Sequence, residues 1–300
     1  MKKIVYAISV LLLTGTISHM AQTDPLKGLE IYNPSYCNPA YTQADRKVQL
    51  DLVGYNFKYY SGLWTNAMTE LPGINSAAGI RFGYNQFTDI GSWNLDFAYA
   101  YRHSFSEDFQ LNGGIAVNYR HFNYGDGFVD MNGNEVVGRN STGMRLGAYT
   151  QYKKWNIGLS TQFPLYVTKE VVTPAGSQET QKDDVGFSSL HLISNYSFGK
   201  PGRLTIDPII RMDYYILRRH DYTELQGYLG ANLEYRNLLG LGFTFGNLVS
   251  VSTSLNLKDR VSLILGIYAG EHELLGPIQG SSYTIGSNEF DIIAQVRIHI

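Results

Sequence analysis

The stretch Trp93-Asn94-Leu95-Asp96-Phe97-Ala98-Tyr99-Ala100-Tyr101-Arg102 decides the fold. Its odd positions carry Trp, Leu, Phe, Tyr and Tyr, and its even positions Asn, Asp, Ala, Ala and Arg. In an extended chain successive side chains point to opposite faces, so one face here is apolar and the other polar or small. Strands of soluble domains usually run about 5–6 residues. A tilted strand that crosses a bilayer needs about 9–11, with apolar residues toward lipid and polar ones toward the lumen.

The pattern repeats along the chain. Phe109, Leu111, Ile115, Val117 and Tyr119 alternate with Gln110, Asn112, Ala116, Asn118 and Arg120. Leu204, Ile206, Ile210, Met212 and Tyr214 alternate with Arg203, Thr205, Asp207, Arg211 and Asp213. Leu225, Leu229, Ala231, Leu233 and Tyr235 do so with Gln226, Gly230, Asn232, Glu234 and Arg236. A soluble sandwich alternates too, so strand length and the pattern of turns must discriminate.

Fourteen strands are expected, at 48–60, 63–70, 75–87, 92–104, 109–124, 142–153, 155–165, 186–199, 203–217, 222–236, 239–246, 249–257, 261–271 and 286–300. Tight turns such as Lys153-Lys154, Gly199-Lys200-Pro201-Gly202 and Asn237-Leu238 follow even-numbered strands. The long connections, around 125–141, 166–185 and 272–285, follow strands five, seven and thirteen. All three therefore fall on one side and both termini on the other, matching short periplasmic turns and long extracellular loops. The alternative of twelve strands, reached by dropping 63–70 and fusing 239–246 with 249–257, breaks this parity. In the first strand the apolar phase shifts from Leu50 and Leu52 to Tyr55 and Phe57, which predicts a β-bulge near Val53-Gly54.

Composition excludes other classes. The mean hydropathy is -0.17, and no stretch approaches the 18 or more consecutive apolar residues of a membrane helix. Tyr (23) and Gly (31) are abundant among the 300 residues, as girdles and tight turns require. A net charge of -2 without a basic tract gives no nucleic-acid signature. The N-terminus reads as a cleaved secretory signal peptide over 1–21, with Lys2 and Lys3 ahead of an apolar run from Ile4 to Leu13. The single cysteine, Cys37, rules out an intrachain disulfide.

Three parts follow: the signal peptide at 1–21, an N-terminal segment at 22–47 and the barrel at 48–300. Segment 22–47 fits no strand, and its Asn33-Pro34 and Asn38-Pro39 steps favour turns. It is expected either to plug or dock at the periplasmic end, or simply to cover the barrel base.

The segment Tyr32-Asn33-Pro34-Ser35-Tyr36-Cys37-Asn38-Pro39-Ala40-Tyr41 resembles the N-terminal signature of PorP/SprF proteins. The likeness continues through Ala78-Gly79-Ile80-Arg81-Phe82 and the Phe97–Tyr101 strand to Ser287-Asn288-Glu289-Phe290. It departs at Thr42-Gln43, where a Gly often stands, and at Ser-Asn-Glu in place of Ser-His-Glu, as a divergent paralogue would. The resemblance implies a non-enzymatic outer-membrane barrel of the type IX secretion system of Bacteroidetes. Such proteins assist the secretion or surface attachment of specific cargo, gliding-motility adhesins included, alongside other components of that machinery. It implies no cofactor.

Mixed charges on the predicted inner face point to a paired lumen network of Asp96, Arg102, Arg120, Arg145, Asp207, Arg211, Asp213, Glu234 and Arg236, with Arg297 alongside. A pore usually lines itself with one prevailing sign. Contact with cargo is expected on the outer loops, at the turn Asn132-Gly133-Asn134. The alternative function is a passive channel for small solutes. An enzyme would need a nucleophile near a His, and only Asp213 and Asp221 around His220 come near that. No His or Cys pair has zinc-ligand spacing.

Overall fold

The structure, a computed structural model, describes residues 34–41, 47–56, 60–87, 90–125, 128, 133–183, 187–217, 222–246, 249–257, 260–269, 272–275, 282–285 and 291–299. The signal-peptide reading, Asn33, Asn132, His220 and Asp221 lie outside them.

Among the described residues eighteen strands follow in order: β1 (Val48–Asn56), β2 (Tyr60–Leu71), β3 (Ser76–Phe87), β4 (Ile90–Ser106), β5 (Phe109–Asn123), β6 (Glu135–Tyr152), β7 (Trp155–Val172), β8 (Gln178–Lys182), β9 (Phe187–Tyr196), β10 (Phe198–Lys200), β11 (Leu204–Leu217), β12 (Tyr222–Tyr235), β13 (Leu239–Gly246), β14 (Val249–Leu257), β15 (Val261–Ala269), β16 (His272–Leu275), β17 (Ser282–Ile285) and β18 (Asp291–His299). Each of β1 to β7 pairs antiparallel with its successor, β7 pairs with β9, β9 with β11, and β11 to β15 run on to β18. β18 then pairs with β1 from Gln49↔His299 to Asn56↔Ile292. This closes a 14-strand antiparallel barrel with no edge left in lipid. No helix among the described residues is long and apolar enough to cross a membrane.

Alternation sets the two faces as expected. Phe97, Tyr99 and Tyr101 are exposed on the outside, while Asn94, Asp96 and Ala100 are buried inside. Short turns join β2 to β3, β4 to β5, β6 to β7, β12 to β13 and β14 to β15 at the end where β1 begins and β18 finishes. The three long connections lie at the other end, one carrying β8 and another the β16–β17 hairpin.

Two expectations are corrected. The first strand has no bulge, because β1 pairs in unbroken register with both β2 and β18. Its phase shift arises because Val53 and Tyr55 point inward, into an apolar cluster with Tyr36, Trp64, Tyr228, Ile264 and Ile293. The bulky rings sit over bare backbone: Tyr55 lies across from Gly62, and Trp64 across from Gly83. The second correction concerns β6 and β7, which run for 18 residues each and absorb 135–141 and 166–172, expected to be loop. Their outer ends are held by Tyr124, Val136 and Val171, packed with Ile90, Phe122 and Phe128. The Arg139–Asp183 ion pair at 2.5 Å and the Asn140 to Glu170 hydrogen bond at 2.9 Å add polar ties.

Candidate functional site

The lumen is organised around residues 34–41. Two short 3-10 turns, Pro34–Tyr36 and Pro39–Tyr41, fold the segment on itself. The Asn38 side-chain oxygen accepts from the Ala40 amide at 2.9 Å, and the Asn38 carbonyl accepts from the Tyr41 amide at 3.0 Å. Asparagine imposes this turn on its own backbone. Ser35, Tyr36, Cys37, Asn38, Pro39 and Ala40 are all buried, Ala40 completely.

The inner wall of β3 to β7 receives this segment. Arg81 donates to the Ser35 carbonyl at 2.8 Å and to the Tyr36 carbonyl at 3.0 Å, and its guanidinium lies 4.7 Å from the Tyr36 ring centre. Arg145 donates to the same Tyr36 carbonyl at 2.5 Å. Asp96 sits between the two cations, 2.6 Å from Arg145 and 3.5 Å from Arg81, and the main-chain carbonyls of Ser35 and Tyr36 accept from the same guanidiniums. Asn112 donates to the Ala40 carbonyl at 3.3 Å. The Asn38 amide donates to the Ala148 carbonyl at 3.0 Å and reaches that of Leu159 at 3.4 Å.

Three glycines make this approach possible. A Cβ on Gly114 would run into the backbone of Pro39 and Ala40, and one on Gly147 or Gly158 would meet the Asn38 side chain. Gly114 and Gly147 are direct cross-strand partners, and Gly158 lies on the next strand. Together they form one notch. Tyr36 joins the apolar cluster carried by β1, β2, β12, β15 and β18. The segment therefore bridges two opposite walls of the lumen. Burial, and then the neighbouring Asp213 carboxylate, push the Cys37 thiol up to about 12.

A second cluster lies on β9 and β11. Ser189 Oγ is 2.8 Å from His191 Nε2, and His191 Nδ1 is 2.7 Å from Asp213 Oδ1. The order matches a nucleophile, base and orienting acid. Arg211 Nε, however, also donates to Asp213 Oδ1 at 2.8 Å, and Tyr215 to its other oxygen at 3.3 Å. Ser189 is buried. His191 and Arg211 thus share one carboxylate oxygen, and the array lies along the inner wall.

The expected lumen residues divide. Asp96 with Arg145 and Asp213 with Arg211 form ion pairs. Arg120 instead hydrogen-bonds Asn94, and Arg102 pairs with Glu70 at 3.3 Å near the end where β1 begins. Asp207 and Glu234 face inward on β11 and β12 but join neither cluster. Arg236 is not in the lumen: it sits in the β12–β13 turn at a φ of 55°, exposed, 5.0 Å from the Tyr235 ring. Of the outer turn, Gly133 is exposed at a φ of 78° and Asn134 is buried. Arg81, the Arg297–Asp51 pair at 2.7 Å and His191 were missing from the expected network as ion-pair partners or, for Arg297, as a named pair. The inward phase of their strands was the signal that could have flagged Arg81 and Asp51.

A family model described as the type IX secretion system membrane protein PorP/SprF matches residues 19–285. The chain belongs to the PorP/SprF family. The match takes in the lumenal segment and all of the barrel but its last strand. Comparison with curated proteins gives no match to this PorP/SprF chain. Among solved structures, the toluene transporter TodX of Pseudomonas putida is similar with a TM-score of 0.53 at 11% identity, over 89% of this chain and 94% of that one. CymD, a monoaromatic hydrocarbon channel, reaches a TM-score of 0.50 at 10% identity, over 94% and 95%. At such identity the likeness is one of barrel fold.

Proposed function

We propose that this chain is a sealed, non-enzymatic outer-membrane barrel that assists type IX secretion of a specific cargo, such as an adhesin, or its attachment at the cell surface. Family membership supports the secretion role. The observation that carries the sealed reading is the burial of Tyr36, Asn38 and Ala40 between opposite walls, where a solute path would have to run. Residues 22–47 then form a periplasmic N-terminal plug, following a signal peptide at 1–21 and preceding the barrel at 48–300. Lipids cover the apolar outer face, and other type IX components meet the periplasmic end. Cargo contacts fall on the tall outer ends of β6 and β7 and on the turn Asn132-Gly133-Asn134, since rigidly mounted loops favour recognition.

A passive solute channel is the second reading, favoured by the shared fold with a toluene transporter. Deleting the chromosomal gene and profiling surface and culture-medium proteins separates the two. Loss of particular type IX cargo is the expected result. Unchanged cargo with altered uptake of small solutes would sink the secretion reading.

A further inference from the structure

Four of the bonds between the wall and residues 34–41 are of one kind. Wall donors Arg81, Arg145 and Asn112 reach main-chain carbonyls of Ser35, Tyr36 and Ala40. None of these bonds uses a side chain of the segment. Side chains of the segment are read at four places: the Tyr36 ring under Arg81 and in the apolar cluster, the Asn38 amide on the Ala148 carbonyl, Ala40 against Gly114, and Tyr41, whose ring centre is 4.2 Å from that of Tyr149. Recognition through main-chain polar groups with a few side-chain sockets is how proteins bind peptides. The ligand also brings its own shape, since the Asn38 turn closes within the segment. A preformed turn loses little freedom on binding.

We propose that the inner wall of β3 to β7 is a peptide-recognition site for an Asn-Pro-Ala turn, filled in cis by residues 34–41 and able to accept the same peptide in trans. The ligand class is a short uncharged peptide with an aromatic residue on each side of the turn. Bulk at the position of Ala40 is refused by the Gly114 backbone, and loss of the Asn38 amide removes the contact that the glycine notch admits. This rests on the sealed-lumen reading and is independent of which cargo is secreted.

The test uses the full chain refolded in planar lipid bilayers and detergent. Asn38→Leu with Ala40→Leu alters the ligand and leaves the wall intact, whereas Gly147→Leu alters the wall. Both are first checked for heat-modifiable barrel migration, and Asn38→Ala stands in if the double variant does not fold. A capped peptide of residues 34–41 is then added, with a scrambled peptide beside it. The double variant is expected to conduct, and the peptide to lower that conductance at least about tenfold. In fluorescence anisotropy the labelled peptide should bind the double variant, and bind wild type and Gly147→Leu at least about tenfold more weakly. A double variant that stays closed, or a peptide that neither binds it nor blocks it, overturns the proposal. So does equal block of the double variant and Gly147→Leu by native and scrambled peptides. Cargo profiling of a deletion strain reads none of these quantities, so failure of the secretion role and failure of this site stay distinguishable.

Discussion

Two inner walls face each other across one lumen and are built from different chemistry. The wall of β3 to β7 carries Arg81, Asn112 and Arg145, which reach away from their own strands to the bound segment, with Asp96 held between the two arginines. The wall of β13 and β14 carries Thr244, Ser250, Ser252 and Ser254, all buried. Three of these hydroxyls bond within the wall: Thr244 and Ser250 lie 2.6 Å apart, and Ser252 donates to the Gly242 carbonyl at 3.4 Å. The same alternation thus yields one wall that holds residues 34–41 and another whose hydroxyls pair across neighbouring strands. The length and donor count of the inward residues make the difference.

The largest test of that contrast is Arg145→Met. It leaves Asp96 buried with only the 3.5 Å contact to Arg81, and breaking a buried pair costs about 3–5 kcal/mol. Ser252→Ala on the other wall should cost about 1 kcal/mol or less. Urea unfolding of both variants in detergent measures the two, and equal costs would erase the distinction between the walls.

Glycine replacements sharpen the comparison next. Gly147→Val forces Asn38 and Pro39 out of place, whereas Gly240→Ala meets the single hydroxyl of Ser254, which can rotate away. Cys37 reports the result: its maleimide labelling in the folded protein should rise more than about tenfold in Gly147→Val and stay at the wild-type rate in Gly240→Ala.

Cys37 also gives a pH signature. Burial and Asp213 push its thiol from 9.0 up to about 12, so the folded protein keeps a proton that the unfolded chain releases. Its contribution is fully present below pH 9.0 and is lost as the pH rises toward about 12. Relative to Cys37→Ser, wild type should therefore lose roughly 1 kcal/mol per pH unit in that window, read from unfolding midpoints at several pH values. A constant difference across the window would place Cys37 outside the sealed region. The smallest effect belongs to Arg236→Ala, on neither wall and exposed in a turn, with an expected change within about 0.5 kcal/mol in the same unfolding assay.

The contrast also explains what could be read from the sequence. Strand number, order and the side of the long loops were legible because alternation and turn parity are properties of the chain itself. The phase of β1 was misread since Val53 and Tyr55 are apolar yet inward, and the aromatic cluster that accepts them comes from distant strands. The outer ends of β6 and β7 looked like loop because Arg139, Asn140 and Glu170 are polar, while their partners lie far along the chain. The Asn-Pro steps announced turns, but turn chemistry specifies shape and not neighbours. Only when Gly114, Gly147 and Gly158 are brought together does the place for the Asn38 turn exist.

The unequal strand lengths give the molecule a front and a back. β6 and β7 have 18 residues, while β13, β14 and β15 have 8, 9 and 9. With about 11 residues sufficient for the crossing, the excess in the long pair rises roughly 15 Å above the bilayer once tilt is allowed for. The outer mouth is shielded like a collar turned up on one side. On the β6–β7 side the wall continues as ordered sheet well past the length a crossing needs, whereas β13 to β15 stop within it, so the sheet is lopsided about the barrel axis.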